Sequence, residues 1–325
     1  MSRPTVYVAL QQFCEADDRP RRLLLEAGYQ LRRNTLGRRP RQEDLRDALP
    51  EVDAVLAGVE PYEAALLGAL PRLRCISRCG VGTDAIDLDA ARRLGIAVYT
   101  TQDEVVEPVA QLTVAMILAL ARNLAIHLRD AAAGRWTKRT GVLLSEWVIG
   151  LVGFGRIGRR VFECLQPFAP RVLAHDPRLS ARDLPPGVEL RDLPSLLRDA
   201  DVVSLHAGRP AAEGAVLGGR ELALMKPGSV LVNTARGFLV DEAALEEALR
   251  SGRLAGAALD VFHEEPYAGP LAGLPNVLCT PHVATLTRSS RARMELAAAQ
   301  HIVDHFVPAQ RQAPARGRAA VGAMR

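Results

Sequence analysis

Residues 147–158 read WVIGLVGFGRIG, an apolar run with the length of a buried strand that leads directly into a glycine-rich turn. The turn is Gly153-Phe154-Gly155-Arg156-Ile157-Gly158, and a helical pattern follows it at residues 159–165. At a strand-to-helix junction this spacing is typical of dinucleotide binding. Gly153 permits the tight turn, Gly155 lets the backbone approach a pyrophosphate, and Gly158 lets helix and strand pack closely. Because the helix N-terminus also offers free N–H groups, we predict that the turn holds a dinucleotide.

The next strand pattern ends at Asp176, which lies 18 residues after Gly158. A carboxylate at this place accepts hydrogen bonds from a ribose diol and repels a 2′-phosphate, so it favours NAD over NADP. Arg178 is the one residue nearby that could instead bind the 2′-phosphate of NADP. The alternative interpretation is an ordinary α/β crossover with incidental glycines. The acid and both flanking elements argue against it.

Apolar β-rich runs alternate with longer helical patterns along the whole chain, which predicts an α/β fold with parallel sheets. The runs are short and mostly unalternating, as expected for strands covered by helices on both faces. The first series contains strands at 5–10, 54–57, 74–77 and 96–99, with helices such as 19–28 and 88–94 between them. The second series contains strands at 147–152, 171–175, 201–204, 229–233, 256–258 and 276–279.

Two helical patterns lie outside this alternation. A long helix at about 107–133 is apolar on most faces through its first half, so we expect it to be buried against its own domain or another subunit. A last helix at about 289–305 follows the second strand series and must pack elsewhere.

The composition limits the classes of protein to which the chain can belong. With 325 residues, 48% hydrophobic and 24% charged, two globular domains are expected, and disorder or a disulfide-stapled miniprotein is excluded. The longest nearly apolar stretch, 112–121, is about half of what a bilayer needs. The N-terminus has no signal-peptide pattern. We therefore expect a cytoplasmic protein without a membrane partner. The five cysteines have no metal-ligand spacing, so no metal is predicted.

The net charge of +4 belongs to the C-terminal tail. Residues 306–325 contain four arginines and no acid, so the charges of residues 1–305 sum to zero. We expect the tail to be disordered from about residue 308, and four scattered arginines without aromatic residues do not predict a nucleic-acid partner.

Polar residues follow three strands of the second series. Arg236 comes after 229–233, Glu265 after 256–258 and His282 after 276–279. Ligands of open parallel sheets bind beyond the carboxyl ends of the strands, so we expect these side chains to converge near a nicotinamide. Each alone has a simpler explanation as a surface cation, a loop acid or a structural histidine.

Together the three residues supply what hydride transfer to a keto acid needs. A histidine can exchange the proton on the substrate oxygen at neutral pH. A carboxylate on its other ring nitrogen fixes the ring and favours the protonated form. An arginine binds the substrate carboxylate and polarises the carbonyl.

With these motifs in this order, the chain resembles the D-isomer-specific 2-hydroxyacid dehydrogenases, most closely the branch related to phosphoglycerate dehydrogenase. The resemblance spans about residues 75–290. The stretches that carry it are 80–87 (GVGTDAID), the glycine turn with Asp176, 233–237 (NTARG), 260–266 (DVFHEEP) and 280–282 (TPH).

The resemblance implies two doubly wound, Rossmann-like parallel-sheet domains. The substrate-binding domain is discontinuous, 1–100 with 288–325, and the NAD-binding domain is 101–287. The last helix then returns to the first domain, and the long helix lies in a two-fold dimer interface. The implied catalytic residues are Arg236, Glu265 and His282. Further cofactor contacts are implied at His206, Thr234, Ala235 and Asp260. Substrate contacts are implied at Arg78, Val81, Gly82 and Arg236.

We therefore interpret the chain as an NAD-dependent oxidoreductase that transfers a hydride between nicotinamide and a small D-2-hydroxy or 2-keto acid, in a homodimer. Three alternatives stay open: 3-phosphoglycerate dehydrogenase proper, a glyoxylate or hydroxypyruvate reductase, and a non-catalytic NAD(H)-sensing protein like the family's corepressors. Relatives that act on phosphorylated acids often carry an arginine in the loop after the third strand. Here that loop, 57–61, contains Glu60, which would repel a phosphate if it faced the substrate.

Overall fold

The computed structural model describes residues 3–208 and 214–307, and the chain divides into two compact units. The first unit combines Met1–Val105 with Leu286–Arg325, and the second is Val106–Thr285. Each unit is built on a parallel sheet with helices between the strands, so the predicted α/β class with two doubly wound sheets is confirmed. The tail from about residue 308, which the sequence predicts to be disordered, lies outside the described residues.

The N-terminal part of the first unit alternates strands and helices. Its elements are β1 (Thr5–Val8), α1 (Arg19–Glu26), β2 (Gln30–Arg33), α2 (Gln42–Ala48), β3 (Ala54–Ala57), α3 (Ala64–Gly68), β4 (Cys75–Arg78), α4 (Leu88–Arg93) and β5 (Ala97–Thr100).

The first sheet has the order β2-β1-β3-β4-β5, and all neighbouring strands are parallel. The central strands β1 and β3 are buried along their whole length, as their unalternating apolar sequences predict. The prediction lacked β2, which reads QLRR and lies at the sheet edge with mostly exposed residues. A polar edge strand of this kind carries no apolar pattern.

The second unit contains the longer series of elements. They are α5 (Val106–Ala121), α6 (Leu124–Ala132), β6 (Val148–Val152), α7 (Arg156–Leu165), β7 (Arg171–His175), β8 (Val188–Leu190), α8 (Leu193–Asp199), β9 (Val202–Leu205), α9 (Gly219–Leu224), β10 (Val230–Asn233), α10 (Glu242–Arg250), β11 (Gly256–Leu259) and β12 (Val277–Cys279).

The second sheet has the order β12-β11-β10-β9-β6-β7-β8, again with parallel neighbours throughout. The strand order reverses at β6, which has β7 on one side and β9 on the other. In doubly wound sheets, ligands bind beyond the carboxyl ends of the strands at such a switch point. The glycine-rich turn that follows β6 lies at this point.

The last helix, α11 (Arg288–Phe306), returns to the first unit, where it packs on β3, β4, β5 and α1. Its apolar residues belong to one core cluster with β1 and β3, through Met294, Ala298, Ala299 and Ile302. The helix therefore completes the cover on one face of the first sheet.

The prediction of one long helix at 107–133 is wrong, because the structure has two helices that meet at a bend of 66°. Asn123 is in the left-handed conformation between them, with φ +53, and its side-chain amide donates to the carbonyl of Thr140. A non-glycine residue in this conformation ends the regular helix, and asparagine tolerates it best. Within the described residues no single helix is long and apolar enough to cross a membrane; α5 and α6 reach that length only as this bent pair.

Candidate active site

Glycine is required at two positions of the turn between β6 and α7. Gly153 has φ +92, and a Cβ on it would lie 2.6 Å from the backbone of His206 and Ala207. A Cβ on Gly158 would lie 2.3 Å from the carbonyl oxygen of Gly153. At Gly155, by contrast, an added Cβ would meet no described atom within 4 Å. The turn is therefore closely packed on the protein side and open where a ligand would approach.

The other residues of the turn contribute through the backbone. The ring of Phe154 is fully buried against Phe162, and Ile157 packs on the same core. Arg156 is exposed as the first residue of α7, whose N-cap is Gly155. The N-terminus of this ten-residue helix points its first N–H groups into the open side of the turn, as binding of a pyrophosphate requires.

Asp176 follows β7 beside the turn and is only 5% exposed. Burial would raise the pKa of its carboxyl, but hydrogen bonds from Arg178 and from the backbone N–H groups of Arg178 and Phe154 hold the pKa below its ordinary value. The guanidinium of Arg178 lies 3.3 Å from Oδ1, and its side chain is 82% exposed. Arg178 therefore pairs with the acid in this structure.

His206, after β9, has a neutral imidazole with one unsatisfied nitrogen. Its Nε2 lies 2.9 Å from Ser204 Oγ, whereas Nδ1 is buried and has no hydrogen-bond partner among the described residues. Burial lowers the pKa of His206 to about 4. A buried ring nitrogen of this kind can be satisfied by a ligand. The open glycine turn, the helix N-terminus, the acid and this nitrogen together fit a dinucleotide.

Thr234 and Ala235, after β10, already use their polar groups inside the unit. The hydroxyl of Thr234 is buried 2.8 Å from Thr113 Oγ1 on α5, and Thr113 in turn donates to the carbonyl of Val109. The N–H of Ala235 donates to the side chain of Asn233. These two contacts fix the backbone that follows β10.

Two of the predicted catalytic residues, His282 and Glu265, are in direct contact. His282 Nδ1 lies 2.9 Å from Glu265 Oε2 and 3.2 Å from Oε1, and the other ring nitrogen, Nε2, is the one left for a substrate. The side chains are 38% and 27% exposed, respectively. The contact brings together residues that follow the neighbouring strands β11 and β12. A carboxylate at Nδ1 fixes the tautomer and orientation of the ring, which is what general acid–base catalysis requires.

Asp260 holds the segment that carries His282. Its carboxylate is fully buried and accepts from the Thr280 hydroxyl at 2.6 Å, from the Val283 N–H at 2.8 Å and from the Ala284 N–H at 3.0 Å. His282 itself has φ +54, and its N–H donates to the carbonyl of Asp260. The acid therefore stabilises an unusual backbone conformation at the histidine.

Arg236 follows β10 in a loop that touches the Glu265 loop. Asn233 closes this loop, because its side chain accepts from the Ala235 N–H and donates to the carbonyl of Arg236 at 2.8 Å. A Cβ on Gly237 would lie 1.9 Å from the carbonyl carbon of Phe262. The two loops are thus in direct backbone contact, and Arg236, Glu265 and His282 follow three adjacent strands.

The predicted substrate residues lie in the first unit, where Arg78 is the last residue of β4 and Val81 and Gly82 follow in the next loop. Arg78 donates to the carbonyl of Cys79 at 2.6 Å, and its guanidinium occupies the space that a Cβ on Gly80 would need. Gly80 has φ +142 and is fixed to the hydroxyl of Thr101. Val81 is exposed, at 36%. This loop therefore presents backbone groups and one cation at its surface.

Glu60 does not present its charge to solvent, as a direct contact with a ligand would need. It is 2% exposed, and its Oε1 accepts from the Gly58 N–H at 2.7 Å and the Tyr62 hydroxyl at 3.0 Å. Burial and the nearby carboxylate of Glu60 raise the pKa of Tyr62 well above its ordinary value. The carboxylate therefore stabilises its own loop through these two hydrogen bonds.

The sequence interpretation gave no role to Asn233 or Gly237, although both belong to the NTARG stretch. An asparagine two residues before a turn amide is a known turn-forming signal and could have been used for Asn233. The need for glycine at position 237 depends on a loop 25 residues away in sequence, so no local pattern carries it. Among the described residues, no three His, Cys, Asp or Glu side chains are grouped as metal ligands.

The chain matches a family model over residues 114–284, that of the NAD-binding domain of the D-isomer-specific 2-hydroxyacid dehydrogenases. It is 38% identical over 317 residues to a glyoxylate reductase of Aeropyrum pernix, covering 93% of each chain. It is 35% identical over 269 residues to a D-3-phosphoglycerate dehydrogenase of Archaeoglobus fulgidus, covering 81% of this chain but only 51% of that relative. The chain thus spans about half the length of such phosphoglycerate dehydrogenases.

Among solved structures, the chain is similar to a D-lactate dehydrogenase of Aquifex aeolicus complexed with NAD and lactic acid. The TM-score is 0.80 with 28% sequence identity, and the match covers 92% of this chain and 94% of that one.

Proposed function

The chain belongs to the D-isomer-specific 2-hydroxyacid dehydrogenase family and is therefore an NAD-dependent oxidoreductase, and we propose that its substrates are small, unphosphorylated 2-keto acids such as glyoxylate or hydroxypyruvate. The observation that carries the catalytic part of this proposal is the 2.9 Å contact between His282 Nδ1 and Glu265 Oε2 beside the Arg236 loop.

The proposed roles follow from the groups that each residue offers. The glycine turn and Asp176 hold NAD, and the nicotinamide supplies or accepts the hydride when bound. His282 donates a proton from Nε2 to the substrate oxygen during reduction and takes it back during oxidation. Glu265 keeps the ring oriented through its hydrogen bond with Nδ1. Arg236 binds the substrate carboxylate. The substrate contacts that we propose for the first unit are Arg78 and the backbone of Val81–Gly82.

The preference for an unphosphorylated acid rests on Glu60. Its loop contains a carboxylate where phosphorylated substrates would need a cation, and that carboxylate is fixed by Gly58 and Tyr62. Because this carboxylate is buried, its charge acts on a ligand across a gap rather than by contact. Two unit charges about 8 Å apart interact by about 2 kcal/mol at an effective dielectric of 20, and salt lowers this value. Even half of that value changes affinity about fivefold.

The test is a screen of keto acids with NADH, measured by the loss of nicotinamide absorbance. We expect kcat/KM for hydroxypyruvate or glyoxylate to exceed that for phosphohydroxypyruvate. Glu60→Gln should narrow this ratio several-fold, because the amide oxygen still accepts both hydrogen bonds while the charge is removed. A higher kcat/KM for phosphohydroxypyruvate in the unmutated protein would contradict the proposal.

A second candidate is 3-phosphoglycerate dehydrogenase proper. It is favoured by 35% identity to proteins of that name and by the Arg78 guanidinium beside the glycine loop. The same screen separates the two candidates. Absence of turnover with every keto acid, together with tight NADH binding, would instead favour an NAD(H) sensor.

We further infer a homodimer formed through the second unit. The apolar face of α5 packs within its own unit on α7. Exposed apolar side chains lie instead on α6 and the segment after it: Leu128 is 68%, Leu143 64% and Trp136 88% exposed. Apolar groups of this size in one region favour association with a second copy. Light scattering should give a mass near twice 35.1 kDa, and Trp136→Ser should lower it.

The cytoplasm is the compartment that we propose for the protein. All five cysteines are free thiols, which suits a reducing environment. For the two units, we assign NAD binding to Val106–Thr285 and substrate binding to the other unit.

A further inference from the structure

The turn that carries Glu265 has two consecutive backbone N–H groups, and each donates a hydrogen bond to a different carboxylate. The N–H of Phe262 donates to Glu265 Oε1 at 3.1 Å. The N–H of His263 donates to Glu242 Oε1 at 2.7 Å. Because these amides belong to adjacent peptide groups, rotation of one changes the direction of the other. Glu242 and Glu265 are thus linked through the backbone of one turn.

Glu242 lies on a helix that is well packed in its unit. It is the first residue of α10, which is anchored in the core of the second unit by Leu245 and Leu249. The N-cap of that helix is Asp241, whose carboxylate accepts from the N–H groups of Ala243 and Ala244. Since Asp241 already caps the helix, Glu242 is not needed as a cap, and its carboxylate reaches 21 residues along the chain to the turn.

The turn is held at two further places. Its backbone at Phe262 lies against Gly237, so no side chain fits between the turn and the Arg236 loop. The ring of Phe262 is stacked on Tyr267 at 4.1 Å between centroids. The contact with Gly237 is made by the Phe262–His263 peptide itself, since the atoms nearest to an added Cβ are the carbonyl group of Phe262 and the nitrogen of His263. That contact limits how far the peptide can move toward the Arg236 loop, and the hydrogen bond to Glu242 holds the direction of its N–H.

We propose that Glu242 is a positioning residue for the reaction: it holds the His263 peptide, which aligns the Phe262 N–H on Glu265 and so keeps the Glu265 carboxylate on His282 Nδ1. The inference rests on the proposed roles of Glu265 and His282. Glu242 itself donates no proton to the substrate and accepts none from it.

Three substitutions separate this role from electrostatic support of the helix. Glu242→Gln keeps an oxygen that accepts from the His263 N–H, so kcat should stay within about twofold of the unmutated enzyme. Glu242→Asp keeps the charge at the helix N-terminus but is one methylene too short, so kcat should fall about tenfold. Glu242→Ala removes the acceptor altogether, so kcat should fall by a similar factor. If Glu242 acted instead through its charge at the helix N-terminus, the Asp variant should have a higher kcat than the Gln variant.

The loss should appear in kcat, while the KM for NADH stays unchanged, since the glycine turn and Asp176 are untouched. Glu246→Ala is the matched control. Glu246 lies one turn further along α10 and pairs with the exposed Arg250, and its loss should leave kcat unchanged. Melting temperatures of all variants show whether each is folded.

A double-mutant cycle decides whether Glu242 acts through Glu265. In a Glu265→Gln background, the further change Glu242→Asp should lower kcat by less than twofold, because the alignment that it disturbs has no remaining function. A full tenfold loss in that background, or an Asp variant more active than the Gln variant, would overturn the proposal. If Glu265→Gln alone leaves kcat unchanged, the failure lies in the proposed role of Glu265 instead.

Discussion

At the scale of single residues, the second unit uses similar carboxylates for different tasks according to their partners. Asp260 is fully buried, and its partners among the described residues are the hydroxyl and amides of the segment around His282. Asp176 has the guanidinium of Arg178 as its partner, and Glu265 has an imidazole. Of the three, only Glu265 is bound to an imidazole, the side chain that can exchange a proton with a substrate. The partner therefore decides which carboxylate takes part in proton transfer.

We expect His282→Ala to lower kcat by about 10²–10⁴, the usual contribution of general acid catalysis, with NADH affinity unchanged. The glycine turn and Asp176 do not depend on the imidazole. Turnover and NADH binding, followed by fluorescence titration, should be measured together. His263→Ala is the control, since the side chain of His263 is exposed. A near-normal kcat in His282→Ala would remove this residue from the mechanism.

Asp176 should determine the choice of cofactor. The unmutated enzyme should prefer NADH to NADPH, because a 2′-phosphate would meet a carboxylate. Asp176→Ala should weaken the binding of NADH roughly tenfold, as expected for one charge-assisted hydrogen bond. It should also release Arg178 to bind the 2′-phosphate of NADPH, so the preference for NADH over NADPH becomes smaller. The ratio of the kcat/KM values for NADH and NADPH measures this preference. Equal use of both by the unmutated enzyme would mean that Arg178 outweighs the acid.

At the scale of elements, the candidate site is a property of loops that follow β10, β11 and β12 side by side. The sequence predicted these strands to within one or two residues, because short apolar runs bounded by turn residues are a strong local signal. Because the strands were located, the sequence also showed which polar residue follows each of them. It missed both edge strands, β2, whose sequence is polar, and β8, which has only three residues. It also missed the break at Asn123, where the apolar pattern continues across a left-handed residue.

No local sequence pattern predicts the contact between the Arg236 loop and the Glu265 loop. A substitution at Gly237 tests this contact. Gly237→Ala would place a Cβ 1.9 Å from the Phe262 carbonyl carbon, so the two loops must separate. We expect kcat to fall at least tenfold and the free energy of unfolding to fall by about 1–3 kcal/mol, as overpacking usually costs. Gly273→Ala is the control, because an added Cβ there meets no described atom within 4 Å. An active Gly237→Ala enzyme with unchanged stability would show that the loops are not in contact.

At the scale of the whole molecule, stability should depend on pH through a histidine that is neutral in the folded chain. Burial lowers the pKa of His206 to about 4, against about 6.5 in the unfolded chain. Between these values the unfolded state binds more protons, so the free energy of unfolding decreases as pH falls. The loss from His206 should be negligible above pH 7 and reach about 2 kcal/mol at pH 5.

Denaturant unfolding of the protein without cofactor, at pH 7.5 and pH 5, checks this expectation. His206→Gln should recover most of that difference, since an amide does not titrate in this range. Burial also lowers the pKa of His305, which therefore contributes a slope that both proteins share. Equal pH dependence of the unmutated protein and the variant would contradict the assignment to His206.

The return of α11 to the first unit has a consequence for the protein during its synthesis. The ribosome releases residues 106–285 before Arg288–Phe306, so the second unit has its whole sheet available while the first still lacks a helix. Until Met294, Ala298 and Ile302 emerge, the apolar face that they cover in the first sheet stays uncovered on the nascent chain. The unit translated first is thus completed last. In this interval it is a candidate client for chaperones.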